Sequence, residues 1–481
     1  MIARLLPLCV LFIAACATEP PSETDTETDT ETDTETAIDR PDPATAQVVD
    51  RVAERYLADA PLAGLSVAVA RDGRIVYESG YGLARRDPAL AADSSTAFGL
   101  LEVSQPVTAV LLLRLAERGL LDLDQPAGNY LRELPAEYAE STLRQLLTHT
   151  SGIRELAIDA LNPDARFTRA PSRQDLLAWL GTGERAAAPD ETWIYSSAGY
   201  LAAGLVAEAV TNQPLAQLVR EEMSLPLALG RLAWCPELAA ARAVSYTSGG
   251  GTTTIAPTVD AGWLGGAGAL CGTPGDLARW WLAVRTGRVI SPASLQEWTM
   301  PVTLERNGVQ AEFGYALGVR LGAWRGHTVI GHTGGGAGGT SVLAEYPDDR
   351  LLIVVTTNTA GRDVPQALEI QAAIAAELLG LPATQPGSVG IEPEALASVP
   401  GLYRSTEGSF CIEAAADHLL VSTDEEQTVG LSHQGGGRFL RPGDGDSVEY
   451  FLGWPDHSEW FAYAWFGLPM DLAAKEAETC P

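Results

Sequence analysis

The stretch LRQLLTHTSG, residues 143–152, decides how the rest of the chain is read. Its leucines at 143, 146 and 147 recur at helical spacing, and a helix is expected over 142–149. Three further stretches belong with it. Phe98 to Pro126 holds a long apolar helix, expected from about Gln105 to Arg118, which stops at Gly119 and turns through DLDQP at 122–126. YSSAGY at 195–200 opens another helical run over 198–211, and GHTGG at 331–335 precedes a pair of strand candidates, Ser341 to Tyr346 and Leu351 to Thr357.

Outward from these stretches the pattern is strand-rich at both ends and helical in the middle. Residues 45–60 read as an amphipathic helix through Val48, Val49, Val52 and Tyr56. Gly64 to Ala70 and Arg74 to Tyr81 read as strands joined by the turn Arg71-Asp72-Gly73. Helices are expected at 173–180, 214–222 and 273–286, strands at Phe313–Leu321 and His327–Ile330, and a closing helix at 364–380. This order predicts an α/β (α+β) fold: one antiparallel sheet built from both ends of the domain, covered by helices, with an all-α subregion between. After Pro386 short strands with aromatic alternation and Gly/Asp turns predict a small all-β, barrel-like domain over 390–481, following a main domain over 45–385. Its dense run Trp454, Trp460, Phe461, Tyr463 and Trp465 is expected to supply that domain's core, the other reading being a lid or partner surface beside a groove.

The four stretches, in this order, resemble the class C β-lactamase, D,D-carboxypeptidase and esterase superfamily of serine β-lactamases and penicillin-binding proteins, over about Ala46 to Leu381. The resemblance implies that fold and an acyl-transfer chemistry. A serine at a helix start attacks a carbonyl, a lysine one turn on and a tyrosine manage its proton, and backbone N–H groups at the serine and on the third-motif strand hold the oxyanion. Residues 143–152 copy the family's hallmark segment, with His149 read as a structural hydrogen-bonder. Tyr195 stands at the motif tyrosine, and His332, Thr333 and Gly334 stand at the Lys/His-Thr-Gly motif.

The departures from the family are chemical. Leu115, Gly119, Leu121, Leu123 and Pro126 hold the register, which puts Glu102 at the serine position and Gln105 at the lysine position. Ser104 is followed three residues later by Val107, and the chain's single lysine is Lys475, so no Ser-x-x-Lys exists in this domain. Glutamine has no basic site to take a proton. Ser197 replaces the motif asparagine, and Pro106 suggests a helix start near Ser104 or Gln105 with Ser104 as N-cap. Glu102 has three readings: a solvated first-turn carboxylate, which is favoured; a general base for water with His332 or Tyr195 as acid, the least favoured; or a carboxylate seated in the old oxyanion hole that blocks the groove. The expected function is therefore a non-catalytic binding protein that keeps the groove, for a peptidoglycan-type peptide or a protein partner. The alternative is a weak hydrolase using Glu102 and His332. No cofactor or metal site is expected.

The N-terminus speaks to location. Arg4 and the apolar run Leu5 to Ala15 end in Ile13-Ala14-Ala15-Cys16, which looks like a lipoprotein signal over 1–16 with Cys16 as the lipidated residue. Ala17 is not Asp, which leans toward the outer membrane. Residues 17–44 carry ten acids against Arg40 and little that could be buried, an extended acidic tether. The net charge of −30 argues against nucleic acid as a partner, because phosphate contacts need Lys and Arg. Beyond Cys16, Cys235, Cys271, Cys411 and Cys480 are an even set for an oxidising compartment. Domain boundaries favour Cys235 with Cys271 and Cys411 with Cys480.

Overall fold

A computed structural model describes residues 42–480, apart from 157, 159–162, 382–398, 406–408, 416–417, 424–427, 436–437, 441–446, 453–459, 466–467 and 478. The expected signal, Cys16 and tether up to residue 41 lie outside the described residues, as does Trp454.

Seven antiparallel strands form the main sheet, in the order Arg320–Trp324, His327–Gly336, Gly339–Tyr346, Leu351–Thr357, Gly64–Arg71, Arg74–Arg85 and Leu90–Ala91. The chain ends meet at its centre, where Leu65 faces Thr357 and Val69 faces Ile353. Side chains alternate across a strand, and the two faces serve two cores. Leu65, Val67, Val69, Ile353 and Val355 pack under the terminal helices Pro43–Asp59 and Ala367–Leu378. Ala68, Ala70, Leu352 and Val354 face the larger helical core on the other side. The first helix begins at Pro43, two residues earlier than expected. The Asp42 carboxylate caps it by accepting from the Thr45 N–H at 3.0 Å, and Pro43 costs nothing at a first-turn position that needs no N–H.

The helix Ser104–Glu117 runs through the helical core with Val107, Val110, Leu111, Leu112 and Leu115 fully buried. A helix that is apolar all round belongs inside a domain. It is preceded directly by a tight 3-10 turn, Leu101–Val103, so Ser104 is not the N-cap. The Ser104 hydroxyl instead accepts the Leu270 N–H at 3.2 Å from a neighbouring strand, and the residue is wholly buried.

The expected strand Phe313–Leu321 is two strands with a turn between them. One ends at Phe313 as part of the hairpin Val302–Arg306 and Val309–Phe313, and the next starts at Arg320. Between them the chain folds on itself, with Ala316 N–H donating to the Val319 carbonyl at 2.9 Å and Leu321 N–H to the Gly314 carbonyl at 2.7 Å. Gly318 makes this possible: its φ is +73°, and a Cβ there would lie 2.8 Å from the Tyr200 hydroxyl and 3.0 Å from the Gln105 carbonyl oxygen. An alternating apolar pattern does not distinguish a strand from a turn pressed into a core.

Eight strands from Gly401–Arg404 to Leu468–Ala477 close into a barrel around Tyr403, Ile412, Leu419, Val421, Phe439 and Phe461. The disulfides are Cys235–Cys271 and Cys411–Cys480, the pairing favoured from the sequence. The barrel's outer face joins the hairpin in a shared cluster, with Ala462, Leu472 and Ala474 against Trp193, Leu304, Phe313 and Tyr315. Arg320 donates to the Pro469 carbonyl and Arg306 to the Lys475 carbonyl at 3.0 Å, so the barrel packs directly behind the region of the four sequence motifs.

Candidate functional site

Three local devices bring the motif residues together. Thr142 and Gln145 form a reciprocal capping box at the start of the helix Leu143–Leu147. Just past its end His149 adopts a left-handed backbone with φ +59°, a position usually taken by Gly or Asn, and this turns the imidazole inward. At the other side, Leu101 is also left-handed, at φ +51°, and lifts Glu102 toward the strand His327–Gly336. That strand comes so close that a Cβ on Gly334 would lie 2.8 Å from the Glu102 nitrogen and 2.7 Å from the Leu100 carbonyl oxygen. Glycine is required there by contact.

Gln105 is the hub of a buried hydrogen-bond network. Its amide donates to the Tyr195 hydroxyl at 2.6 Å. Its carbonyl oxygen lies 3.2 Å from His149 Nε2 and 3.3 Å from the Tyr315 hydroxyl. The Ser196 N–H donates to His149 Nδ1 at 3.1 Å, so the His149 proton sits on Nε2 and points at Gln105. His332 has the opposite tautomer. Its Nδ1 donates to the Thr333 carbonyl at 2.7 Å, leaving Nε2 to accept from Tyr315 at 3.1 Å. Burial holds both histidines well below the usual imidazole range and pushes the Tyr195 hydroxyl well above the usual phenol range. The network is therefore neutral. The buried guanidinium of Arg320 lies beside it, 5.7 Å over the Tyr315 ring and 6.0 Å over that of Tyr195.

Glu102 faces the other way. Its carboxylate accepts the Gly335 N–H at 2.8 Å, and its own backbone N–H also bears on it. These are the two N–H groups that the resemblance noted in the sequence assigns to an oxyanion. The side chain folds back onto its own turn and the strand, as in the third sequence reading rather than the favoured solvated one, but it stays part-exposed on a cavity wall and does not block the groove. Burial raises the Glu102 carboxyl above its usual range despite those bonds.

Glu102 lines a cavity of about 660 Å³ together with Glu155, Ser197, Gly335, Trp179 and Trp263. Gln105, Tyr195, His149, Thr333, Gly334 and His332 do not line it. Glu102 is on the cavity wall, whereas His332 is fully buried and is not among its lining residues. Glu155 is a site residue that sequence reasoning missed. It lies three residues beyond the hallmark segment, and its carboxylate accepts the Ser197 N–H at the start of the helix Ser197–Thr211. Burial raises it to about 7, opposed by that helix-end bond. Tyr315 and Arg320 were missed as well, because one lies on the turn that the strand pattern concealed and the other starts the strand just after it. Cys235 and Cys271 also line the cavity, and their disulfide ties the strand Leu270–Gly272, which pairs with Phe98–Gly99 just ahead of Glu102. Among the described residues no group of three or more His, Cys, Asp or Glu is placed to hold a metal ion.

Residues 49–377 match the family described as Beta-lactamase. Among curated proteins the chain is 32% identical to Esterase EstB of Burkholderia gladioli over 194 residues, covering 38% of this chain and 49% of the esterase. It is 25% identical to Penicillin-binding protein 4* of Bacillus subtilis (strain 168) over 310 residues, covering 61% of this chain and 67% of that protein. The chain thus spans about half the length of the esterase it matches. Among solved structures, the octameric penicillin-binding protein homologue from Pyrococcus abyssi superposes with a TM-score of 0.61 at 19% identity, over 89% of this chain and 99% of that one. A D-stereospecific amidohydrolase from Streptomyces sp. superposes with a TM-score of 0.58 at 24% identity, over 71% and 99%. At these identities the structural likeness speaks to the fold alone.

Proposed function

We propose that this chain, which belongs to the beta-lactamase family, is a lipid-anchored cell-envelope protein that binds a ligand in the family's groove and does not form an acyl-enzyme. One observation carries the reading: the carboxylate of Glu102, at the serine position, accepts the Gly335 N–H that an oxyanion would need. Acyl transfer requires a nucleophile, a proton acceptor one turn on and free oxyanion donors aimed at both. Here the donors are engaged by a carboxylate, and the residue one turn on is Gln105, whose amide already donates to Tyr195. Nucleophile and base act as a unit, and losing one costs on the order of 10⁶ in kcat in a serine protease.

Hydrolysis by Glu102 with His332 gains no support from the geometry. His332 is fully buried, its Nδ1 donates to a backbone carbonyl, and its Nε2 faces Tyr315. Ser104 is no substitute nucleophile, since its hydroxyl is buried against Leu270. The ligand class expected from the sequence is a peptidoglycan-type peptide or a protein partner. The proposed anchor is Cys16, with the outer membrane as location.

Labelling of the full chain with a fluorescent penicillin, read by intact mass, tests the central point. No adduct is expected. Stoichiometric labelling would overturn the reading, and mapping the adduct to Ser104 would show that the register at the helix start is wrong. Mass spectrometry of the mature N-terminus tests the anchor, which a free Cys16 or cleavage elsewhere would remove.

A further inference from the structure

We infer that the cavity binds an organic ammonium group on an apolar body, with the ammonium between the carboxylates of Glu102 and Glu155. This rests on the non-acylating reading above and narrows it to a ligand charge.

The charged residues lining the cavity are Glu102, Glu155, Asp260 and Arg242. Two of them are engaged or peripheral. Asp260 caps the following helix by accepting the Gly262 N–H at 2.9 Å, and Arg242 is an exposed side chain. Glu102 and Glu155 are left as the charges of the inner wall. Glu102 accepts the Gly335 N–H, and Glu155 accepts from the N–H and the hydroxyl of Ser197. Among the described residues neither has an ion-pair partner. The cation that bears on Glu102 is Arg320, which donates to the Pro469 carbonyl and lies over the rings of Tyr195 and Tyr315.

Two part-buried carboxylates on one cavity wall repel each other, and each gives up hydration that its N–H and hydroxyl donors replace only in part. A cation between them relieves both penalties. An anion adds a third like charge. The inner wall is thus opposite in sign to what a substrate carboxylate, the group borne by penicillins and their peptide counterparts, would need. The rest of the wall suits an apolar body: Leu156, Ile158, Leu264 and the indoles of Trp179 and Trp263, whose ring faces also favour cations. A free amine on a peptide and a small aralkyl amine share this chemistry.

The test is calorimetric titration of the full chain at pH 8 with three probes of one shape: phenethylammonium, phenethyl alcohol and 3-phenylpropionate. The ammonium is expected to bind roughly tenfold more tightly than the alcohol, about what one charge interaction contributes in a partly desolvated site, and the carboxylate more weakly than either. Glu155→Gln and Glu102→Gln should each remove most of the ammonium's advantage and leave the alcohol unchanged. A lysine-containing peptide with its ε-amine free, set against the same peptide acetylated, separates a peptide amine from a small amine. Equal or tighter binding of the carboxylate overturns the proposal, as does no binding of any probe. Unaltered ammonium affinity in both variants also overturns it. The three-probe comparison on the unmutated chain stands even where a variant fails to fold. Penicillin labelling in the same sample separates the two readings. An adduct removes the non-acylating function, whereas a reversed charge preference without an adduct removes only this inference.

Discussion

Two layers meet at the turn Leu101–Val103, and they are built on opposite electrostatics. Behind it, Gln105, Tyr195, His149, Tyr315 and His332 form a closed neutral network, with proton positions set by backbone partners at both histidines. In front of it, Glu102 and Glu155 bring two carboxylates to one cavity wall. The rear layer engages both the amide and the carbonyl oxygen of Gln105, while the front layer holds charge that burial penalises. With Glu102 and Gln105 at the serine and lysine positions, the rear of the site is a closed hydrogen-bonded network, while the cavity in front carries two carboxylates. Polar groups that pair completely stabilise a core, and those that do not remain available to a ligand.

The largest effect that could break this comparison is a return of acylation. Glu102→Ser alone should stay unlabelled by a fluorescent penicillin, because Gln105 has no basic site for the serine's proton. Glu102→Ser with Gln105→Lys should label slowly, since the change frees the Gly335 N–H and puts an amine beside Tyr195. Labelling of the single variant would show that the rear layer still manages protons.

Next in size is the hub itself. Gln105→Ala removes partners from Tyr195 and His149 at once and leaves a void, so chemical denaturation should show a loss of about 3–4 kcal/mol. A loss under about 1 kcal/mol would mean the network is not a unit.

The pH dependence of stability should divide between the layers. Glu155 has a raised carboxyl, about 7 in the fold against 4.5 for a free side chain, so the folded state binds the proton more tightly. Its contribution is present below pH 4.5 and is lost as pH rises to 7, by no more than about 3 kcal/mol. His149 and His332 have lowered values, so the unfolded chain binds more protons and their contribution falls as pH drops below 6.5. Denaturation midpoints measured from pH 4 to 8 should show Glu155→Gln flattening the alkaline arm and, where the two windows overlap between pH 4.5 and 6.5, steepening the acid arm. If it flattened the acid arm, the assignment of charge to the two layers would be reversed.

The smallest effect is at Glu102. Glu102→Gln keeps an acceptor for the Gly335 N–H and removes a penalised charge, so it should stabilise by about 1 kcal/mol at pH 8 and by less at pH 4. Destabilisation at pH 8 would mean that the carboxylate's charge, not its shape, holds the turn.

Much of this was legible along the chain. The helix carrying Gln105, the sheet from both ends, the barrel strands and both disulfide pairs followed from periodicity, turn residues and cysteine position. These are local or counting signals, and burial of an apolar stripe enforces them. Ser104 shows where locality ends. As a serine before an apolar helix it reads as an N-cap, yet the 3-10 turn continues into the helix and a strand from residue 270 claims its hydroxyl. Tyr315 shows the same for pattern, since its run alternates like a strand and folds as a turn into the core.

By itself the sequence determined what chemistry is missing: with Lys475 the single lysine and Glu102 in register with the lost serine, no arrangement of the chain restores that pair. Only the tertiary structure decided what the remaining side chains do. It folded Glu102 back onto Gly335 and set Glu155, more than fifty residues away, into the same wall. It also left His332 behind both, bonded to Tyr315. The reason is physical. Residue identity limits which protons a group can hold, but desolvation, neighbouring charge and the supply of hydrogen-bond partners are set by whichever distant segments pack around it.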